Sequence, residues 1–588
     1  MNQNAERLLE PAAAYRNFYS AEFKKNAEEL FEELVKRSGI DREENKKTAD
    51  AYRKQKAEAE GVSKKLSRKK TLRVLLWVLF SLGLAVGIYG ITIPNALVIA
   101  IPFVLSVASI VLIFAVLKKQ IKALKEALST AEEKTAKLLK EAQAQMAPLL
   151  ALFDSGMTSD LIQKTVPKLV IDPRFEMRRY DYMNGKYGLR ESLGENASLL
   201  GLLSGEILGN PFLVEKHRIM RMGTEVYTGH LTISWTETYR DSDGKMHTRV
   251  RTQVLTASVT KPKPFYSTET RLVYGNDAAP DLSFSHEKTH AERMNEKQRA
   301  SFVKSEAKKI RKQAQKDVSF TEMANEEFDA IFNGTERDHE VQFRLLFTPL
   351  AQKNLLDIMT GGSPFGDDFD FVKRKCLNYI ISEHSQSWDP DTDTSRYASY
   401  DLELSKKAFL EFNHNYFTGF YFDLAPLLSI PLYQQNKPRE YLYQKQYPRN
   451  YTAREAELLA NKLGERYFAH PKSATPAILK PRLLNKREGA DDLTVVAYSY
   501  RAVPRTDFIP MLGGDGGMHA VPVPWLEYLP IEKETDLTLE ALDLRDPEFR
   551  EKNATKAPHV YYHRLFATLG KEGFVTEIPK DEPNDDQK

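Results

Sequence analysis

One apolar run, from Val74 to Leu117, dominates the hydrophobic pattern and contains no charged side chain. A membrane crossing takes about 20 helical residues, and this run is about twice that length. It is interrupted near its middle at Thr92–Asn95, where a proline stands. The pattern therefore predicts two transmembrane helices, over residues 74–92 and 96–117, that are joined by a short turn.

Basic residues flank the apolar run on both sides. Positive side chains stay on the cytoplasmic side of a membrane, so these flanks predict a multi-pass protein of the bacterial inner membrane with both termini in the cytoplasm. The alternative is a buried helical hairpin, which is disfavoured because soluble helices nearly always keep a polar face. The flanking residues are Lys64, Lys65, Arg68, Lys69, Lys70 and Arg73 before the run, and Lys118, Lys119 and Lys122 after it.

Helical periodicity continues on both sides of the run. Residues 1–70 are predicted to form cytoplasmic helices with a break at Gly39, and residues 118–147 a stalk helix. Weakly polar and apolar positions recur at alternating spacings of three and four, which is typical of a coiled coil. The two arms therefore predict an antiparallel coiled-coil stalk, with two independent polar helices as the alternative. The seam positions are Thr48, Tyr52, Gln55, Ala59, Val62, Leu66, Ile121, Leu124, Leu128, Ala131, Thr135, Leu138 and Ala142.

Residues 160–435 are predicted to form a separate α+β domain. Apolar and polar residues alternate from Leu231 to Tyr239, which indicates a strand with one buried face. Asp241–Gly244 predicts a turn, and a return strand follows through residues 250–259. Two prolines at Lys261–Pro264 are expected to interrupt that strand. The Leu- and Gly-rich segment 189–208 suggests a short helix or a loop.

Further along, residues 287–317 predict a long helix in which basic residues outnumber acidic ones. Residues 341–347 suggest a strand, and residues 349–359 a helix that opens on a proline. Residues 409–412 and 419–424 suggest further strands. The basic helix is interpreted as a solvated connection, with anionic lipid, nucleic acid or a protein partner as its alternatives.

Residues 445–578 predict a C-terminal α+β extension after a linker near residues 434–448. Thr452 and Glu455 form a capping-box pattern, and strand-like segments surround the loop Gly513–Gly517. Residues 579–588 predict a disordered tail. The fold class is therefore α+β, in which N-terminal helices and a transmembrane hairpin with a coiled-coil stalk precede a mixed or antiparallel β-sheet domain with helices.

Composition narrows the chemistry. The chain has 588 residues, a net charge of +3 and one cysteine, Cys376. One thiol excludes an intramolecular disulfide and a Cys-rich zinc site. The small net charge implies no general attraction to nucleic acid, which is therefore disfavoured as a partner.

The block His339–Pro349 and the β segment Arg251–Tyr274 occur together with the apolar hairpin. In the block, an acidic residue, an arginine and a hydrophobic pair precede Thr348-Pro349. Together these features resemble a bacterial family of two-span membrane proteins with a cytoplasmic α+β domain of unknown function. The resemblance covers roughly residues 70–430. It implies an architecture and no activity.

The sharpest catalytic pattern is His286-Glu287-Lys288-Thr289-His290, which fits H-E-x-x-H. On a helix, two histidines four residues apart share a face and can bind one zinc ion, while the glutamate activates a water molecule. Against this interpretation, the surrounding segment is polar nearly all round. A third ligand is also not evident, although Glu296 and Glu306 are the nearest candidates.

The leading hypothesis is therefore a membrane-anchored cytoplasmic interaction or scaffold module without catalytic activity or cofactor. Its expected partners are the lipid bilayer and either an unknown cytoplasmic protein or a second copy bound through the stalk. The alternative is a membrane-anchored zinc metallopeptidase that uses Glu287 as its catalytic base and His286 and His290 as zinc ligands.

Overall fold

A computed structural model gives the fold of the chain. The predicted disordered tail, the turn near residue 94 and much of the predicted linker lie outside the part that it describes. The described residues are 8–90, 104, 106–190, 194–317, 320–334, 336–388, 390, 392–438, 440–441, 451–487, 490–541, 558–562 and 565–570.

Helices and strands are both abundant, so the α+β class is confirmed. The helices are α1 (Pro11–Ala14), α2 (Ser20–Ser38), α3 (Arg42–Gly90), α4 (Lys118–Leu150), α5 (Met157–Thr165), α6 (Met177–Tyr187), α7 (Glu296–Lys316), α8 (Glu326–Phe332), α9 (Glu340–Leu346), α10 (Pro349–Asp357), α11 (Leu402–Leu428) and α12 (Ala453–Leu463).

The strands form two sheets in which all neighbours are antiparallel. The first sheet has the order β1-β2-β3-β4-β7-β6-β5, and the second β11-β12-β10-β9-β8. The strands are β1 (Leu169–Ile171), β2 (Ala197–Ile207), β3 (Asn210–Arg240), β4 (Met246–Gly275), β5 (Ser283–His286), β6 (Phe369–Arg374), β7 (Leu377–Ser382), β8 (Ile478–Lys486), β9 (Ala490–Leu512), β10 (Met518–Ala541), β11 (His559–Tyr562) and β12 (Leu565–Leu569).

The chain divides into two compact units, which we describe separately. The helical unit comprises Phe23–Met157 and Asp393–Asn415. The β unit comprises Met1–Glu22, Thr158–Thr392 and Tyr416–Lys588, and it contains both sheets.

Within the helical unit, α3 and α4 pack against each other in opposite directions. Thr48, near the start of α3, accepts a hydrogen bond from Gln145, near the end of α4 (3.1 Å). Further along α3, Leu66 packs with Leu117 and Ile121. All the predicted seam positions are buried or half-buried in these otherwise largely exposed helices. The break at Gly39 is confirmed, with φ +67°. A coiled-coil geometry stays a prediction.

The predicted transmembrane helices are contradicted. Among the described residues, none of the helices is both long enough and apolar enough to cross a membrane. The predicted inner-membrane location, multi-pass topology and orientation are therefore wrong.

Two predictions for the β domain are also wrong. Strand β4 runs through the two prolines without interruption, and Pro262 and Pro264 pair with Thr224 and Met222 of β3. The ladder tolerates them because β4 has no strand on its other side at this point, so a missing N–H at the open edge breaks no bond. Residues 197–207 form strand β2 rather than a helix or loop.

In three segments a strand was predicted where the structure has a helix. Residues 341–347 lie in helix α9 and its C-cap. Residues 409–412 and 419–424 lie in helix α11. Strands β6 and β7 were not predicted, and helix α7 begins only at Glu296, after an irregular segment.

Two predicted helix starts are confirmed by their hydrogen bonds. Helix α10 opens on Pro349, and the Thr348 side chain accepts from the backbone N–H of Ala351. At α12, Thr452 and Glu455 form the predicted capping box. The predicted strands around Gly513–Gly517 are confirmed as β9 and β10, which are longer than expected.

A first core of the β unit includes residues of both sheets and of α12. Leu213, Leu459, Val495 and Leu537 are completely buried there. A second, aromatic core surrounds Phe284 of β5, which meets Phe343, Phe347 and Phe371 at ring distances of 5.1–5.7 Å. Each such buried side chain contributes about 1.5–3 kcal/mol.

Candidate functional site

The predicted zinc motif does not form a helix. His286 is the last residue of β5, where it pairs with Phe371 of β6. His290 has a left-handed backbone (φ +53°) and precedes a single helical turn. The two imidazoles therefore do not share a helix face, which was the geometric basis of the prediction.

The surroundings of His286 explain why it is buried. Its Nδ1 donates to the carbonyl of Phe332 (2.6 Å), and its Nε2 lies 3.0 Å from Oδ1 of Asp367. Its ring also stacks on Phe332, with ring centroids 4.7 Å apart. Oδ2 of Asp367 accepts from the backbone N–H of Thr289 (2.8 Å). Both ring nitrogens of His286 are thus engaged in holding the segment that follows β5.

The other two residues of the predicted zinc site, Glu287 and His290, have different surroundings from those of His286. Glu287 is exposed. The ring nitrogens of His290 lie 3.6 Å from the carboxylates of Glu292 and Glu383. Across the part of the chain that the structure describes, no group of three or more His, Cys, Asp or Glu residues has a geometry suited to a metal ion.

The long hairpins of the two sheets pack on each other and form what we call the two-ribbon arm. Ribbon one is residues 220–266 of β3 and β4, and ribbon two is residues 501–529 of β9 and β10. The strands of ribbon one keep a constant register over their whole length. Successive residues therefore alternate strictly between two faces.

Odd-numbered residues of each ribbon face the other ribbon. Ile233, Leu255, Val521 and Val523 form a small buried core between them. At Gly229 the backbones approach so closely that a Cβ atom would lie 2.0 Å from the carbonyl oxygen of Pro522. A side chain at residue 229 is therefore incompatible with this packing.

The charged residues of the arm also lie on these inner faces. Lys261 forms an ion pair with Asp507 (2.6 Å) and lies over the ring of Trp525. Hydrogen bonds from Lys261 and then Trp525 lower the pKa of Asp507. Lys263 and Glu225 form a second pair (2.6 Å). These side chains face the other ribbon and lie around the apolar core between the two ribbons.

The outer face of ribbon one has the opposite character. We call the even-numbered positions 222–238 and 248–264 the valine–threonine face. None of the nine positions on either strand carries Asp, Glu, Lys or Arg, and all of them except the buried Pro264 are exposed. Val226 is 64% exposed, Val250 73% and Val254 57%. An exposed sheet face without charge over this length is unusual, because charged side chains normally prevent association there.

Four of the hydroxyl groups of this face form two hydrogen-bonded pairs. Thr228 pairs with Ser258 (3.0 Å) and Ser234 with Thr252 (3.3 Å) across the two strands. Such cross-strand pairs satisfy these four hydroxyl groups within the ribbon. The outward surface of the face therefore combines valine and threonine methyl groups with hydroxyl groups.

The outer face of ribbon two is also uncharged. We call its even-numbered positions 502–512 and 518–528 the proline face, after Pro504, Pro510, Pro522 and Pro524. In a two-stranded ribbon a proline fits where its nitrogen points to the open edge. These prolines remove donors from the edges and oppose edge-to-edge pairing.

Hydrophobic alternation alone does not predict the uncharged outer face of this arm, but the positions of the charged residues do. Alternation correctly predicted one buried face in β3, where Ile233 is buried. It also suggested that the other face would be hydrophilic. The positions of the charged residues, all odd-numbered within 222–238 and 248–264, indicate instead that the solvent-facing side is uncharged.

Comparison with known proteins identifies no relative: no family model, curated protein or solved structure matches the chain. The resemblance of residues 339–349 to the two-span family therefore stays a prediction.

Proposed function

We propose that this chain is a self-assembling interaction module that pairs with a second copy through the valine–threonine face. The observation that carries this proposal is a long exposed sheet face without a single Asp, Glu, Lys or Arg residue. The pairing is face to face, as in a β-sandwich, in which sheets pack about 10 Å apart.

The size of the face favours this occupant. Positions 222–238 extend over about 55 Å, and the two strands give a width of about 10 Å. Two copies would therefore cover roughly 1,100 Å² together, slightly above the roughly 1,000 Å² that a specific interface needs. The shorter proline face would cover only about 700 Å², within the range of non-specific contacts.

The chemistry of the face favours a second copy for two further reasons. Because the face carries no Asp, Glu, Lys or Arg side chain, two copies meet without repulsion between such charges. Because the hydroxyl groups of Thr228, Ser258, Ser234 and Thr252 are paired across the two strands, these four keep a partner when the face is buried. A highly charged partner would find no complementary group there.

Analytical ultracentrifugation of the full chain tests the proposal. We expect a dimer for the native sequence and a monomer for Val254→Lys, because the lysine places a charge near the centre of the buried face. The lysine is solvated in the monomer, so the fold is unaffected. Val341→Lys is the matched control, since Val341 is 72% exposed on α9, and it should remain dimeric.

Three outcomes would overturn the proposal: a native chain that is monomeric at micromolar concentration, an unchanged dimer in Val254→Lys, or an equal loss of dimer in both variants. The third would indicate a general effect of added charge. Circular dichroism should be the same for all three proteins.

A further inference from the structure

A second site lies at the root of the first sheet, in the β unit. It is a cleft of about 890 Å³ between the end of α6, strand β4, the β6–β7 turn and the start of α12. Its volume is within the range of small-molecule sites. Five of the residues that line it are basic: Arg190, Arg271, Arg374, Lys375 and Arg454.

Two of these arginines are fixed by one buried carboxylate. Glu215 is completely buried, and its Oε2 accepts from Nη2 of Arg271 (2.9 Å). Its Oε1 lies 3.0 Å from Nη1 of Arg454. Burial by itself raises the pKa of Glu215, but the charges of Arg454 and Arg271 outweigh burial and hold that pKa well below its usual range. Glu215 is therefore ionised, and it balances only one of the two arginines.

The other three basic residues lack an ion-pair partner in the part of the chain that the structure describes. Within the described ranges, Arg190, Arg374 and Lys375 form no ion pair. All three are exposed at the mouth of the cleft. The cleft therefore combines two preoriented guanidinium groups, one buried and one half-buried, with three exposed cations that can meet a ligand.

Hydrogen bonds from Lys373 fix the β6–β7 turn that carries Arg374 and Lys375. Lys373 is buried and donates to the carbonyl oxygens of Ala278 (3.1 Å) and Lys375. Lys375 itself has a left-handed backbone (φ +55°), which brings the β6–β7 chain round in a tight turn. Arg374 and Lys375 thus extend from a fixed backbone.

We propose that this cleft binds a small polyanion with at least two phosphate groups. Arginine is suited to phosphate because its planar guanidinium group donates two parallel hydrogen bonds. A single phosphate would balance less than half of the five cations. A diphosphate or triphosphate matches the excess of charge and fits the volume. Tyr379, whose ring lies 5.8 Å from the guanidinium of Arg271, adds an apolar wall.

Isothermal titration calorimetry on the full chain at physiological salt tests this site, with pyrophosphate and ATP as separate probes. We expect saturable binding at one site per chain. Arg374→Gln with Lys375→Asn should weaken it at least tenfold, because two of the five cations are lost. Asparagine is chosen at residue 375 because it tolerates a positive φ.

The matched control is Lys308→Gln with Lys312→Gln, which removes the same charge from exposed positions of α7. It should bind as the native chain does. If pyrophosphate binds as tightly as ATP, the cleft recognises the phosphate groups alone. If ATP binds more tightly than pyrophosphate, the cleft also contacts the nucleoside. Both results support the site.

Absence of binding to both probes, or equal weakening in the cleft variant and the control, would overturn the proposal. A single-stranded oligonucleotide that binds more tightly than ATP, and is weakened by the same cleft variant, would refute a small ligand in favour of a nucleic acid.

Discussion

His217 provides a test of the buried charge cluster beneath the cleft. It lies on β3, is 1% exposed, and its Nε2 donates to Oε2 of Glu215 (3.2 Å). Burial lowers the pKa of His217 from 6.5 to about 4, although the hydrogen bond to Glu215 opposes this change. The imidazole is therefore neutral near pH 7.

The consequence for stability follows from proton binding. As the pH falls below 6.5, the unfolded chain takes up a proton at residue 217 and the folded chain does not. Proton binding then stabilises the unfolded state, so the free energy of unfolding decreases as the pH falls towards 4. One pKa unit corresponds to about 1.4 kcal/mol, and the total loss from this histidine is therefore about 3 kcal/mol.

The variant His217→Gln isolates this effect, because glutamine can donate the same hydrogen bond and does not titrate. We expect the free energy of unfolding of the variant, relative to the native chain, to rise by about 3 kcal/mol between pH 7.5 and pH 4. Urea unfolding followed by tryptophan fluorescence measures it, since Trp235, Trp388 and Trp525 lie in the β unit.

The difference between the two proteins cancels the titration of all other groups that the substitution leaves unchanged. His247→Gln, at a half-exposed position near the start of β4, controls for the loss of a histidine as such. A difference between His217→Gln and the native chain that stayed constant from pH 7.5 to pH 4 would refute the reasoning.

Two further predictions concern packing. Gly229→Ala should separate the ribbons and destabilise the arm by about 1–3 kcal/mol, because its methyl group meets the backbone of Pro522; faster hydrogen exchange in β9 and β10 measures this, and unchanged exchange would contradict it. Leu66→Ala should cost about 2–5 kcal/mol because Leu66 packs with Leu117 and Ile121; hydrogen exchange should accelerate in α3 and α4 but not in the β unit.

The local patterns that predicted elements correctly were those in which hydrogen bonds are made between near neighbours. Thr452 and Glu455 lie three residues apart, and their capping box is visible in the sequence alone. Asp241–Gly244 specifies its turn in the same way, with Gly244 at φ +80°. Such signals depend little on the rest of the fold.

Residues 341–347 show where a periodic pattern is ambiguous. Apolar residues at 341, 343, 345 and 347 alternate as in a strand. In helix α9 and its C-cap, Phe343, Leu346 and Phe347 are buried, whereas Val341 and Leu345 are exposed. The spacing of three and four fits the sequence equally well. Only the aromatic core around Phe284 distinguishes the two alternatives.

The surroundings of His286 and the basic cleft could not be predicted from the sequence for a different reason: their decisive contacts are distant in sequence. His286 is held by Phe332 and Asp367, which lie 46 and 81 residues away. The five cations of the cleft come from four separate segments of the chain. Hydrophobic periodicity carries no information about such contacts.

The two proposed sites share the strands β3 and β4 but lie far apart along them. Glu215 and Arg271, at the cleft, are direct cross-strand partners. His230 and Thr256, at the centre of the valine–threonine face, are partners 15 residues further along the same ladder, a distance of about 50 Å. Charges that far apart are screened at physiological salt, where the Debye length is about 8 Å. A charge on the face therefore does not alter the cleft electrostatically, and loss of self-association leaves anion binding as an independent property of the chain.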